Sequence, residues 1–366
     1  LNNAFEYAKD VASPTIKLLN NATFVGPYTL TPTPANWTGT LDLNNFTITS
    51  TKSASYSDRL FSLSKVDMKL TITDNSTAKG GVWNLAVERT AGGAIGIVIA
   101  NGELVLANGK IHVENTATNM GVTGINVWSS TANKAIYTQT GGTLEAEAPL
   151  GVTTVKTCGK ANISGGDVKA TTSGATAYAF QLATHDSSIG SLTVSGSPTI
   201  TVNANSYAYG ISSEVAGTTA TVSGGTFNIT STTSYAYAFK TTKANTYTIS
   251  GGTYNVTAGT TNSYGYYNTS VGATATISGG TFTVATTSNN SAYGIYSNAS
   301  SGSGSVTVSG SPTFTVTAGQ NYAYGLYNIN AGSTFNVNSG TFNVTANKIY
   351  ACGAYSASSA KINIHG

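Results

Sequence analysis

The sequence predicts an all-β chain wound as a parallel β-helix, a β-solenoid with three strands in each coil of about 27–31 residues. Three observations carry that expectation. A short motif recurs at Ile163-Ser-Gly-Gly166, Val194-Ser-Gly-Ser197, Val222-Ser-Gly-Gly225, Ile249-Ser-Gly-Gly252, Ile277-Ser-Gly-Gly280, Val308-Ser-Gly-Ser311 and Val337-Asn-Ser-Gly340, in steps of 31, 28, 27, 28, 31 and 29 residues. A near-constant period of this size marks stacked units, none of which can bury its apolar face alone. Inside each unit apolar and polar residues alternate, the period of strands, and no helix-period segment recurs between them.

The elements follow in order. Residues 2–10, containing Ala4-Phe-Glu-Tyr-Ala8, read as a short N-terminal capping helix. Thr15-Ile-Lys-Leu-Leu19 and Leu41-Asp-Leu-Asn-Asn-Phe-Thr-Ile-Thr49 read as early strands, and Asp42-Leu-Asn-Asn45, Thr73-Asp-Asn75, Ala107-Asn-Gly109 and Gln139-Thr-Gly-Gly142 as looser corners. Residues 1–150 are thus the cap and irregular coils, and 151–366 the regular Ser-Gly-Gly repeats of a single β-helix of about eleven coils. In the repeats, Thr226-Phe-Asn-Ile-Thr230 puts Phe227 and Ile229 on one face and Thr226, Asn228 and Thr230 on the other. Equivalent strands stacked at about 4.8 Å align like residues in ladders, so Phe227, Tyr254, Phe282, Phe314 and Phe342 are expected to form one internal aromatic stack. A second strand carries Tyr209-Gly-Ile211, Tyr237-Ala-Phe239, Tyr264-Gly-Tyr266, Tyr293-Gly-Ile295 and Tyr324-Gly-Leu326, and the parity places its first tyrosines inside. A third strand returns to the next corner, where glycine supplies the positive φ of a tight bend. The last segment, Lys361-Ile-Asn-Ile-His-Gly366, stops in mid-repeat, so the natural chain is expected to continue.

The opening segments Ala4–Ala8, Thr15–Leu19 and Leu41–Thr49 resemble the N-terminal end of right-handed parallel β-helices of the pectate-lyase-like type. The Ser-Gly-Gly-Thr-[Phe/Tyr] and Tyr-Gly-[Ile/Leu]-Tyr repeats resemble those of adhesin-like prokaryotic surface proteins. The resemblance implies a right-handed coil and a non-enzymatic cell-surface adhesin or stalk segment, extracellular, with host or cell-surface glycans or proteins as partners; the open coil end adds self-association as an expectation. It also implies an alternative, a polysaccharide lyase or hydrolase, because enzymes of that fold place carboxylates and basic residues on neighbouring coils. The Asp-rich calcium constellation of pectate lyases and the paired Asp motifs of polygalacturonases are not visible.

Composition narrows the classes. Charged residues are 8 %, with 17 basic and 14 acidic, too few and too balanced for an electrostatic nucleic-acid binder. No acid follows Glu214, and beyond it lie only Lys240, Lys243, Lys348 and Lys361, so carboxylate chemistry is confined to the earlier part. Hydrophobic residues at 40 % and aromatics at 10 % argue for a packed core over disorder. No apolar run is long enough to span a membrane, and the first residues are not a signal peptide. No Gly-rich phosphate loop precedes a helix, and no cofactor or metal is implied. Eleven N-x-[ST] sequons occur, as many do by chance in so Thr/Asn-rich a chain. Cys158 and Cys352 fall about seven coils apart, roughly 30 Å at the stacking repeat, too far for a disulfide. Trp37, Trp83 and Trp128 read as core or corner packing, and His185 and His365 as isolated.

Registering coils on the corner glycine leaves three candidate surfaces. His112, Glu145 and Lys169 fall in one outward row, Glu114 and Glu147 in the next, and Asp167 beside Lys169. This strip reads either as an acid/base or metal-binding groove or as a solvated band of compensating charges, with Glu145 between His112 and Lys169. The Thr/Asn rows at Thr199/Thr201/Asn203, Thr226/Asn228/Thr230, Thr253/Asn255/Thr257 and Thr313/Thr315/Thr317 form a flat array, which admits an ice-binding solenoid, while the uncapped last coil admits a self-assembling filament subunit. Tyr267, Tyr296, Tyr327 and Tyr355 have outward parity on successive coils and are the candidate ligand-contact column.

Overall fold

The computed structural model describes the chain except residues 53–58, 88–92, 130–133, 187, 289, 300–303, 332 and 366, and the side chains of residues 51 and 52. It is an all-β parallel solenoid with a short N-terminal helix, as the repeat predicts. Thirteen strands from Thr15–Lys17 to Lys361–Ile364 form sheet A. Twelve from Ala22–Gly26 to Thr341–Ala346 form sheet B, and twelve from Tyr28–Leu30 to Tyr350–Ser356 form sheet C. Apart from a small antiparallel pair, Thr184–His185 with Ser188–Ile189, each coil gives one strand to each sheet. The described residues make about twelve turns, one more than the repeats alone suggest. Packing divides them into two compact units, Leu1–Gly174 with Thr184–Leu192, and Ala175–Ala183 with Thr193–Gly366.

In the first unit, α1 (Asn2–Ala8) buries Phe5 and Ala8, spaced to share one helix face. The Phe5 ring lies 5.5 Å from Phe61, 5.8 Å from Tyr28 and 6.5 Å from Phe24, closing the apolar end of the first coil. Asn2 extends the cover to backbone. Its Nδ2 donates to the Val25 carbonyl at 2.8 Å, and the Val25 N–H donates to its Oδ1 at 2.9 Å, so it satisfies two backbone groups of that strand edge. Trp37 and Trp83 are core residues, as expected. The Trp37 indole N–H donates to the Ala8 carbonyl at 3.0 Å, and its ring lies over Gly39, where a Cβ would come within 2.0 Å of a ring carbon.

In the second unit the ladders run as the alternation predicts. Phe227, Tyr254, Phe282, Phe314 and Phe342 stack with centroids 5.0, 4.4, 4.3 and 4.9 Å apart. Ile229, Val256, Val284 and Val316 form the adjoining interior row, in register from coil to coil. At the corners Gly225, Gly252 and Gly280 have φ of 89°, 99° and 98°, the left-handed region that favours glycine. Sheet C ends in a buried polar row, Ser213, Thr241, Asn268, Ser297 and Asn328, each fully shielded from solvent. Shielded polar groups need partners. Asn245 donates to Ser213 Oγ at 2.9 Å and Thr241 Oγ1 at 3.1 Å, and Ser333 Oγ donates to Asn328 Oδ1 at 2.8 Å.

Candidate functional site

The charged strip lies on the outer face of sheet B in the first unit. Its inward alternates, Ile111 and Val113, Leu144 and Ala146, Val168 and Ala170, are all fully buried, which fixes the other parity outward. The register is the expected one, with His112 opposite Glu145 opposite Lys169, and Glu114 opposite Glu147. The pairing is not. Glu145 does not bridge His112 and Lys169; it takes the Lys110 ammonium from a diagonal position, because the long lysine chain reaches across the row. His112 instead reaches Glu147, with Nε2 3.1 Å from Oε1. Lys169 stays on its own strand, 4.0 Å from Asp167. Partial burial pushes the Glu145 carboxyl up, but the Lys110 hydrogen bond and the charges of Lys110, His112 and Lys169 pull harder, leaving it below the ordinary carboxylate range. Glu145 is therefore an ionised partner, not a proton donor near neutral pH.

One atom each of His112, Glu114 and Glu147 lie within 4.8 Å of one another. Glu114 and Glu147 also line a surface groove of about 410 Å³ with Asn115, Pro149, Thr171 and Ser173. This is the arrangement in the strip with metal-ligand chemistry. Arg89, one of the chain's two arginines, lies outside the described residues.

The tyrosines form the second surface, on sheet C of the second unit. Tyr267, Tyr296, Tyr327 and Tyr355 stack as a column, with centroids 5.0, 5.3 and 5.0 Å apart and planes within 14° of parallel. The first three are half-buried and Tyr355 is exposed. Tyr209, Tyr237, Tyr264, Tyr293 and Tyr324, expected among the interior residues, make a second stacked column that continues to Tyr178. They are buried, at most 9 % exposed, but by other tyrosines and not by the phenylalanine stack. Tyr264 meets Tyr267 edge-on at 4.9 Å, and Tyr293 meets Tyr327 at 5.2 Å.

The strict alternation fails at the residue after each tyrosine. A Cβ at Gly294 would meet Phe314 and Val316, so this position faces the interior. Ile295 is buried as well, and strand pairing steps from Tyr293 to Ile295 without it. One residue drops out of the alternation, so Tyr293 and Ile295 do not share a face although they are two apart. Phe239, equivalent to Ile295, lies 5.1 Å from Tyr254 in the interior, while the ring neighbours of Tyr237 are all tyrosines. Every tyrosine from Tyr178 onward, except Tyr247, Tyr254 and Tyr266, belongs to this outer wall.

Parallel rings with centroids about 5 Å apart contact one another as offset stacks along the column. Burial raises the phenols of Tyr267, Tyr293 and Tyr327 above their ordinary value, so they remain neutral donors. At the end of the wall nearest Glu214, the Lys240 ammonium stands 4.7 Å over the Tyr209 ring and 3.4 Å from the Glu214 carboxylate.

The Thr/Asn rows are in register on sheet B. Thr226, Thr253, Thr281, Thr313 and Thr341 form one row, and Thr230, Thr257, Ala285, Thr317 and Thr345 another, which Ala285 interrupts. Asn255 donates to Asn228 across coils at 2.8 Å, so part of this face satisfies itself.

Two features escaped the pattern reading. His185 is not isolated: the antiparallel insertion brings its ring edge-on to Trp128 at 4.5 Å, beside a 280 Å³ depression that Arg59, Val98 and Ala100 complete. Trp128 is accordingly half-buried and not core. Asp42 and Asp74 are buried carboxylates at the early corners. Asp74 accepts the N–H groups of Gly81 at 2.6 Å, Ser76 at 3.0 Å and Asn45 at 3.1 Å. Cys158 and Cys352 are both free. No helix is long and apolar enough to cross a membrane among the described residues. No protein-family model, curated protein or solved structure matches this chain.

Proposed function

We propose that the protein is a non-enzymatic cell-surface stalk or adhesin segment whose tyrosine wall makes multivalent contacts with extracellular polysaccharide. The observation that carries this reading is the outer tyrosine wall itself. A half-buried aromatic ladder on successive coils offers apolar ring atoms and uncharged hydrogen-bond donors side by side, the chemistry of a contact surface. The repeat multiplies one weak contact along one line, and simultaneous engagement raises avidity without a deep pocket. Because each ring already stacks on its column neighbours, the phenol hydroxyls are the expected points of contact. Glu145, ionised and lysine-paired, is not the protonated acid that a glycoside hydrolase requires.

A glycan-array screen tests the proposal. Selective binding lost in Tyr296→Ala/Tyr327→Ala, and also in Tyr296→Phe/Tyr327→Phe, is the expected result. Binding untouched by either double variant, or silence across the array, overturns glycan recognition by this wall. Turnover of a polysaccharide that disappears in Glu145→Gln/Glu147→Gln would instead establish the enzymatic alternative.

A further inference from the structure

We infer that His112, Glu114 and Glu147 form a binding site for one divalent first-row transition ion, of the zinc or manganese class, on sheet B of the first unit. The site is independent of the tyrosine wall, and neither proposal depends on the other.

Glu114 and Glu147 occupy opposed positions on neighbouring strands. Like charges so placed destabilise a sheet unless something lies between them. The nearby lysines are committed elsewhere, Lys110 to Glu145 and Lys169 to Asp167. Among the described residues no lysine or arginine pairs with Glu114 or Glu147, and His112 is the group that reaches them. As ligands the two carboxylates bring two negative charges, which a divalent ion neutralises.

Geometry agrees. Donors sharing one ion at about 2.1 Å are separated by roughly 3.0–3.4 Å in octahedral or tetrahedral arrangements. His112 Nε2 and Glu147 Oε1 already stand 3.1 Å apart, and Glu114 brings its oxygen within 4.8 Å of both, within reach of a side-chain rotation. The three Cα atoms sit on paired strands whose inward neighbours Ile111, Val113, Leu144 and Ala146 are fully buried, so the frame is rigid. Beside them, in register with His112, the Asn84 amide oxygen is shut off from solvent and accepts no hydrogen bond.

Donor chemistry selects the class. Imidazole with carboxylates suits zinc, manganese, iron and nickel, whereas magnesium and calcium prefer all-oxygen sets. Three protein ligands on an open face leave coordination positions directed to solvent, and the groove lined by Glu114 and Glu147 adjoins them.

The test is isothermal titration of the purified, chelator-dialysed chain with ZnCl2 and, separately, MnCl2, MgCl2 and CaCl2. One equivalent of zinc or manganese is expected, bound at least about tenfold more tightly than magnesium or calcium. His112→Ala and Glu147→Gln should each weaken binding by about tenfold or more, with His185→Ala and His365→Ala unchanged. Circular dichroism confirms that each variant is folded. A second readout is a zinc-dependent rise in melting temperature, present in the parent chain and absent in His112→Ala. No saturable binding up to millimolar zinc overturns the site. So does zinc binding that survives His112→Ala, or tighter binding of calcium than of zinc.

Discussion

At the scale of single residues, the early corners depend on buried carboxylates where later corners depend on glycine. Burial pushes Asp74 up, but the Ser76 hydroxyl and the N–H groups of Gly81, Ser76 and Asn45 pull it further down, so its folded value lies below the ordinary one. A lowered folded pKa gives stability that is present above the unfolded value of about 3.9 and is lost as pH falls through the folded value. Asp74→Asn should therefore destabilise the chain at neutral pH by roughly 1–3 kcal/mol, since an amide cannot accept from three donors as a carboxylate does. It should also flatten the fall in stability below about pH 4, and urea melts across pH read both effects. Gly39→Ala is the matching steric prediction. Its new methyl meets the Trp37 ring, and a cost of about 1–3 kcal/mol in the same assay is expected.

At the scale of strands, inside and outside positions differ sharply in what substitution does. Phe282 lies between Tyr254 and Phe314 in the interior stack, so Phe282→Ala should cost about 3–5 kcal/mol. Thr283→Val, one residue away and facing water, should stay within about 0.5 kcal/mol by the same denaturant titration. This contrast is also why sheet B is legible from the sequence. One face meets solvent and the other an apolar interior, so the alternation of Thr226–Thr230 reports the geometry directly. Sheet C misleads the same count because its interior-facing Gly210, Ala238, Gly265, Gly294 and Gly325 drop out of the pairing. Parity then assigns Tyr209 and its equivalents to the interior, when they are buried under other tyrosines outside it. In the charged strip, position is likewise readable and partnership is not. The row places His112 beside Glu145, but lysine length decides that Glu145 goes to Lys110 and leaves Glu147 to the imidazole. The approach of His185 to Trp128 had no signal at all, because it depends on an insertion that breaks the repeat.

At the scale of the whole molecule, charge is distributed so that two kinds of surface do not overlap. No acid follows Glu214, and the tyrosine wall carries Lys240 and Glu214 only at one end. Contacts made along that wall should therefore be nearly indifferent to salt. Affinity for a glycan found on the array is expected to change less than about twofold between about 0.05 and 0.5 M NaCl, over which the Debye length shrinks severalfold. The zinc affinity of the His112 site, measured over the same range, should fall more, since it joins opposite charges at a partly exposed position. The ladder register has a longer-range consequence. Each coil answers only to the coils on either side of it, and it answers through its inward rows. The outward rows of sheet B vary more freely: the same sheet bears charges at Lys110–Glu114 and bare threonines at Thr313–Thr317 over equally buried interiors. Such a chain can be repainted by mutation, or lengthened by duplicating a whole coil, without renegotiating its architecture, so its exterior can diverge far faster than its frame.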